Sequence, residues 1–352
     1  MKLQKFLLLP VMCLLAFTFS ACGDDDSGSS ASSSSESSAS ETAEEAPAEE
    51  APAEEAPAEG SDGIRVAIVA PSAENDLAFS QSIVDGVNEL TGVSEIAITP
   101  GTFIVEEAAT AIRDYAEAGY DLVIAHGSQY GGPLQEIAPD FPDTAFAWGT
   151  AVDTFGLDNV SAYTAASNEG GYVLGVIAAE VGGNIGIVGP IAVGDAKLYV
   201  DGFTLGAESG GAEVSVTYIE SFSDVALASE TAAAFVSNGA DVLTGTAQMT
   251  VGAIGVAEQE GLLWFGTQSN QTSAAADGVV AASQVYHWEI ALQSLVDDIG
   301  SGKLGGNTYE INLENEGLVI EWGNWDVPSA LTDLLDQVSE SVINGEVTTI
   351  IP

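Results

Sequence analysis

The chain has 352 residues, with 53 Asp+Glu against 6 Lys+Arg and a formal net charge of −47. Nucleic-acid binding needs a basic footprint on phosphate, so this balance argues against it, and against a polyanionic ligand caged by Lys and Arg. A hydrophobic fraction of 46% with 39 Gly makes the bulk of the chain globular rather than disordered.

Residues 1–22 read as a targeting segment. Lys2 and Lys5 form a short positive region, and Phe6 to Phe19 an apolar core broken by Pro10. That core is too short to span a bilayer and has the size of a signal h-region. The segment ends Phe19-Ser20-Ala21-Cys22-Gly23. Small residues before a cysteine resemble a bacterial lipobox, in which Cys22 carries the lipid anchor; the alternative is an ordinary cleaved signal. Cys13 lies within the signal, so a mature chain has no cysteine but Cys22, and disulfides, thiolate metal sites and Cys nucleophiles are excluded.

Residues 23–62 open with Asp24-Asp25-Asp26 and a Ser-rich run, then repeat Glu-Glu-Ala-Pro-Ala at 44–48, 49–53 and 54–58. A segment with almost no large apolar side chain cannot bury a core, so this one reads as a disordered tether. Its like charges repel, so it is expected to extend beyond the roughly 35 Å span of a Gly/Ser coil of that length.

From Gly63 the pattern changes. Arg65-Val-Ala-Ile-Val-Ala70 is a short apolar run of the kind found in a buried parallel strand. A helix-period stretch follows at 77–90, with Phe79, Ile83, Val87 and Leu90 on one side. Further strand-like runs are Ile96–Thr99, Asp121–Ala125, Thr144–Trp148, Asn159–Tyr163, Asn184–Val188, Val214–Ile219, Asp241–Thr244, Leu262–Gly266, Val279–Val285 and Gly317–Glu321. Helical stretches between them are 105–118, 168–181, 195–208, 225–238, 249–260, 286–301 and 328–343. Such alternation predicts an α/β fold of parallel sheets covered by helices, and that many units exceed one ordinary sheet. Two lobes are therefore expected, the first over about 63–160 plus 286–315, the second over about 161–285 plus 316–352. Ligands of open α/β sheets sit outside the carboxyl ends of the strands, which directs attention to those ends.

Asn75, Asp76 and Phe79 follow the first strand. Asn75 or Asp76 either caps the next helix or faces a cleft, and Phe79 is either core or a flat wall for a heterocycle. His126, Ser128 and Gln129, with Gly127 between them, stand at the end of a buried strand; they form either a polar turn or a ligand-binding loop that the glycine lets approach closely. Gln248 and Met249 hold the same kind of place in the second lobe, and Gln268 to Asn270 follow the next strand. Trp288, after the run 279–285, is either a second aromatic wall or an ordinary packed Trp.

These segments resemble, in order, the basic membrane protein (BMP) family of ABC-transporter substrate-binding lipoproteins. The likeness runs over about 64–325, through Val66-Ala-Ile-Val-Ala-Pro71, Gly119-Tyr-Asp-Leu-Val-Ile-Ala-His-Gly127, Glu169-Gly-Gly-Tyr-Val-Leu-Gly175, Gly202-Phe-Thr-Leu-Gly206, Ser221-Phe-Ser-Asp224 and Gly266-Thr-Gln-Ser-Asn270. It implies a type I periplasmic-binding-protein fold, with two Rossmann-like lobes joined by a hinge, and a purine or nucleoside ligand. It also implies an ABC permease as partner and a monomeric protein on a lipid anchor. The acid that ribose-binding members often carry within 268–270 is replaced by the amides Gln268 and Asn270, and a lysine some members carry is replaced near Gln284 and Tyr286. An amide-rich, uncharged site suits a neutral ligand with both donors and acceptors, a free base as well as a nucleoside.

Enzyme chemistry lacks its residues. Two histidines, His126 and His287, are present, but no Gly-x-Ser-x-Gly elbow, no Walker loop and no Asp-x-Asp-x-Asp-Gly calcium loop. No cofactor or metal is expected. Two further readings keep the fold: a sensor whose closed form docks on a membrane receptor, and a surface lipoprotein that binds no solute. Thirteen of the 53 acids fall in 23–62; residues 63–352 keep 40 acids against Arg65, Arg113, Lys197 and Lys303. A charged content of 17% is below the usual value of about 25%, so the anomaly is missing bases more than added acids. Self-repulsion then needs screening, and a saline habitat is expected.

Overall fold

The computed structural model describes residues 63–351. The signal segment, Cys22 and the tether lie outside the described residues.

The chain begins with β1 (Ile64–Val69), α1 (Phe79–Asn88), β2 (Val93–Thr99), α2 (Val105–Glu117), β3 (Leu122–Ala125), α3 (Gly131–Ile137), β4 (Ala145–Gly149) and β5 (Val160–Ala165). It continues with α4 (Ser167–Val181), β6 (Asn184–Gly189), α5 (Gly194–Ser209), β7 (Glu213–Tyr218), α6 (Val225–Ser237), β8 (Val242–Gly245), α7 (Thr250–Glu260), β9 (Leu263–Gln268) and β10 (Val280–Tyr286). It ends with α8 (Glu289–Gly300), β11 (Thr308–Ile311), β12 (Leu318–Trp322) and α9 (Ser329–Ile343). Two sheets result, ordered β11-β5-β4-β3-β1-β2 and β12-β10-β9-β8-β6-β7. All pairings are parallel except that of β10 with β12.

The central strands are apolar because both of their faces are covered. In β1, Val66 and Ile68 pack toward Ile83 and Val87 of α1 and Leu292 and Leu295 of α8, while Ala67 and Val69 pack toward Ile112 of α2 and Leu134 of α3. In the second sheet, Ile185 and Ile187 face α4 and α5, and Val188 and Leu243 face α6 and α7. Alternation of period two along a strand buried on both faces gives this division.

The chain passes between the sheets after Ala165, after Tyr286 and between Ile311 and Leu318. The first passage comes after β5 rather than near residue 160, because Phe146 to Gly149 of β4 pair with Val160 to Tyr163 and hold that strand in the first sheet. Two elements are absent from the sequence reading. α3 begins Gly131-Gly132-Pro133, which reads as a turn, yet Pro in the first turn of a helix removes only an N–H that has no partner there. β11 is a four-residue edge strand held by β5 alone.

Candidate functional site

A cavity with about 430 Å³ of space, part of it open to solvent, lies at the carboxyl ends of both sheets' strands. Pro71 and Phe79 come from the segment after β1, Phe103 from after β2, Ser128 and Gln129 from after β3, and Thr150 from after β4. The second sheet supplies Val193 to Ala196 after β6, Phe222 after β7, Ala247 and Gln248 after β8, and Gln268 at the end of β9. Hydrogen bonds cross from one set to the other: Gln248 Nε2 donates to Ser72 Oγ at 3.1 Å, Ser269 Oγ to the Ala78 carbonyl at 2.9 Å and Gln271 Nε2 to the Leu77 carbonyl at 3.1 Å.

The backbone around the cavity is strained. Thr150, Ala247 and Gln268 all line it and all have positive φ, at 53°, 74° and 76°. Non-glycine residues rarely take this conformation, and such strain concentrates where a fold serves a ligand rather than its own stability.

Phe79 is the first residue of α1 and its ring stacks on His126, with centroids 3.9 Å apart and planes at 21°. His126 has no exposed surface. Its Nε2 lies 3.1 Å from the Phe79 carbonyl, which only accepts, so Nε2 carries the proton and Nδ1 accepts from the Tyr163 hydroxyl at 2.7 Å. Burial pushes the imidazole down to about 3, so the ring is neutral. A side chain on Gly149 would lie 2.5 Å from the Tyr163 hydroxyl, so glycine there makes room for the pair. His126 thus supports Phe79 from behind and does not line the cavity.

Asp76 does not face the cavity either. Its carboxylate accepts from the Ala78, Ser80 and Gln81 amides at 2.9 to 3.0 Å and from Ser72 Oγ at 2.5 Å. It satisfies the free amides at the start of α1, the capping alternative of the sequence reading. Asn75 is exposed and outside the lining. Met249 is wholly buried in the core between β8, α6 and α7. Trp288 is also wholly buried; its ring NH donates to Ser82 Oγ at 3.0 Å and its edges meet His126, Tyr163 and Tyr286. The second aromatic wall is therefore not Trp288, which closes the core where α8 meets α1. Asn270 is exposed; it donates to Glu321 and its own carbonyl oxygen accepts the Thr272 amide. Phe79, Ser128, Gln129, Gln248 and Gln268 are the sequence candidates that line the cavity.

Sequence reasoning missed Phe103, Phe222 and Asp195. Phe222 stands in the quoted segment Ser221-Phe-Ser-Asp224, so its signal was an aromatic just past a strand end. Asp195 is in the first turn of α5 and only 6% exposed. Gln268 Nε2 and the Tyr286 hydroxyl both stand 3.4 Å from its Oδ2, and Ser167 Oγ holds its backbone carbonyl at 2.6 Å. Desolvation raises its carboxyl above the usual range, opposed in part by the Gln268 amide and by nearby backbone amides. No Lys or Arg lines the cavity, and no group of metal-binding side chains occurs among the described residues.

Two facing α/β sheets with a strained, aromatic-lined cavity at their strand ends define a solute-binding protein of the type I periplasmic class. The family described as ABC transporter substrate-binding protein PnrA-like (Bmp) matches residues 64–351, and the chain belongs to it. A purine-binding protein of Brucella abortus is 33% identical over 247 residues, 68% of each chain. The nucleoside-binding protein BmpA of Lactococcus lactis is 26% identical, covering 81% of this chain and 88% of its own. The transcriptional activator protein Med of Bacillus subtilis is 26% identical over 74% and 82%. Among solved structures, an ABC-transporter solute-binding protein of Conexibacter woesei superposes with a TM-score of 0.68 at 25% identity, over 82% of this chain and 99% of its own.

Proposed function

We propose that this chain is the solute-capturing component of an ABC importer, held outside the cytoplasm by a lipid on Cys22 and the acidic tether of residues 23–62. It encloses a small heterocycle of the purine or nucleoside class between its two lobes and delivers it to a membrane permease. The observation that carries this reading is the cavity lining: Phe79 and Phe103 from one sheet, Phe222 from the other, with the amides Gln129, Gln248 and Gln268 and no basic side chain. Aromatic faces bind a planar ring and amides supply both donors and acceptors, whereas a phosphorylated ligand finds no cation. Contacts to both lobes favour the closed arrangement, so ligand shifts a two-state equilibrium toward it. The relatives named for purine and nucleoside binding support the same ligand class.

Calorimetric titration with adenine, guanine, hypoxanthine and their nucleosides tests this. Binding of at least one is expected, weakened on the order of 10- to 100-fold in Phe222→Ala through loss of an aromatic wall. Folded wild-type protein that binds none of them sinks the ligand assignment. The relative named as a transcriptional activator favours a second reading, a sensor whose closed form docks on a receptor. Co-purification with a receptor instead of a permease distinguishes it.

A further inference from the structure

Asp195 is the one ionisable side chain in the cavity lining. It sits in a wall whose other polar groups are neutral, and the fold offers it the Gln268 amide, the Tyr286 hydroxyl and the backbone amides of Asp195 and Ala196. Its two side-chain partners, the Gln268 amide and the Tyr286 hydroxyl, share one oxygen at 3.4 Å, longer than the usual range for a charge-assisted bond. An ionised carboxylate has about four lone-pair sites on its two oxygens, and both side-chain donors reach Oδ2, so Oδ1 has no side-chain donor. The four described cations are engaged elsewhere: Arg65 with Glu95, Arg113 with Asp140, Lys197 with Asp201 and Lys303 with Asp298. The N-cap of α5 is Val193, which offers no side-chain cap, and the backbone amides of Asp195 and Ala196 in the first turn are the main-chain groups nearest the Asp195 carboxylate. Its place is nonetheless fixed, through Ser167 on its carbonyl and Gln268 on its carboxylate. Gln268 is held in turn at positive φ, with its own Oε1 accepting the Ala247 amide at 3.2 Å.

We propose that Asp195 is the specificity-determining residue of the cavity, accepting an N–H of the ligand. The ligand is then a nitrogen heterocycle that turns a donor edge, a ring N–H or an exocyclic amino group, toward α5, and anionic heterocycles such as urate are refused. Gln268 acts as a positioning residue for the carboxylate. This rests on the solute-capture reading above and adds to it the group that selects the solute.

The test is calorimetric titration of wild-type protein, Asp195→Asn and Asp195→Ala with adenine, guanine, hypoxanthine, their nucleosides and urate. Asparagine keeps the shape but turns one accepting oxygen into a donor that opposes the ligand's own. The expected result is a roughly 10- to 100-fold loss of affinity in Asp195→Asn for the best wild-type ligand, with an unchanged or higher melting temperature. Urate binding is expected to be undetectable in wild type and to improve in Asp195→Asn. Affinities within about threefold of wild type for every ligand, in a folded Asp195→Asn, overturn the assignment while leaving solute capture standing. Wild-type protein that binds nothing in the panel removes both. Should Asp195→Asn fail to fold, Asp195→Ala serves, and equal wild-type and Asp195→Ala affinities overturn the assignment.

Discussion

His126 illustrates how one residue behind the cavity sets a condition on the whole fold. Its ring is neutral when folded, with its value pushed down to about 3 from the ordinary 6.5. The unfolded chain therefore binds a proton that the folded one refuses throughout that window. Stability from this group is complete above pH 6.5 and is lost as pH falls toward 3, at up to about 1.4 kcal/mol per pH unit. Asp85, Asp195 and Glu169 act with the opposite sign, because desolvation raises each of them and the folded form takes up the proton first. The contribution of His126 is best read as a difference. Between pH 7 and pH 5, wild-type protein is expected to lose about 2 kcal/mol more stability than His126→Gln, measured by urea unfolding at each pH. Parallel stability profiles for the two proteins contradict the assignment of a neutral, proton-refusing ring.

At the scale of elements, α4 and α5 approach each other through glycine. A Cβ added at Gly206 would lie 2.1 Å from the Tyr172 carbonyl, one at Gly202 2.2 Å from that of Asn168, and one at Gly175 2.2 Å from that of Phe203. The pairing matters to the site because Ser167 at the start of α4 holds the Asp195 carbonyl in the first turn of α5. Gly206→Ala must push the helices apart, at a cost of roughly 1–3 kcal/mol, and is expected to weaken ligand binding along with stability. Gly255 in the exposed middle of α7 meets nothing within 4 Å, so Gly255→Ala is expected to stabilise by about 0.5–1 kcal/mol and leave binding unchanged. Thermal melts and titrations of the two variants separate these outcomes; equal stability of both contradicts the close-packing argument. The alternation of elements was legible in the sequence because strands buried on both faces must read as apolar runs. Phe79, Gln248 and Gln268 were legible as side chains at strand ends. Asp195 was not, since an acid in an acid-rich chain reads as solvated, and its burial is decided by Gln268 and Tyr286 far along the chain. Trp288 sits just past a strand too, but its ring is turned into the core by packing between α1 and α8, not by local pattern.

At the scale of the molecule, ligand chemistry and surface charge separate cleanly. The cavity holds a single ionisable side chain, whereas residues 63–352 carry 40 acids against 4 bases, a net charge of −36. All four described cations stand in ion pairs; three of these are exposed or half-exposed on both sides, and in the fourth a half-exposed Lys197 meets a buried Asp201, so solvent screening leaves them a small part of the balance. Pairing therefore does little to offset a repulsion that acts across the whole surface. Screening length shrinks from about 30 Å at 0.01 M salt to about 10 Å at 0.1 M and below that at higher salt, so repulsion between separated carboxylates fades while the buried core is unchanged. Hydrophobic burial also strengthens with salts that are excluded from the surface, so sodium chloride and sodium sulfate have to be compared at equal ionic strength. Melting temperature is expected to rise from 0.01 M to about 0.5 M NaCl and then to level off, most of the gain falling below about 0.2 M where screening changes fastest. A melting temperature that is flat over this range, or a rise seen with sulfate alone, overturns the electrostatic account and leaves the missing bases without a role in stability.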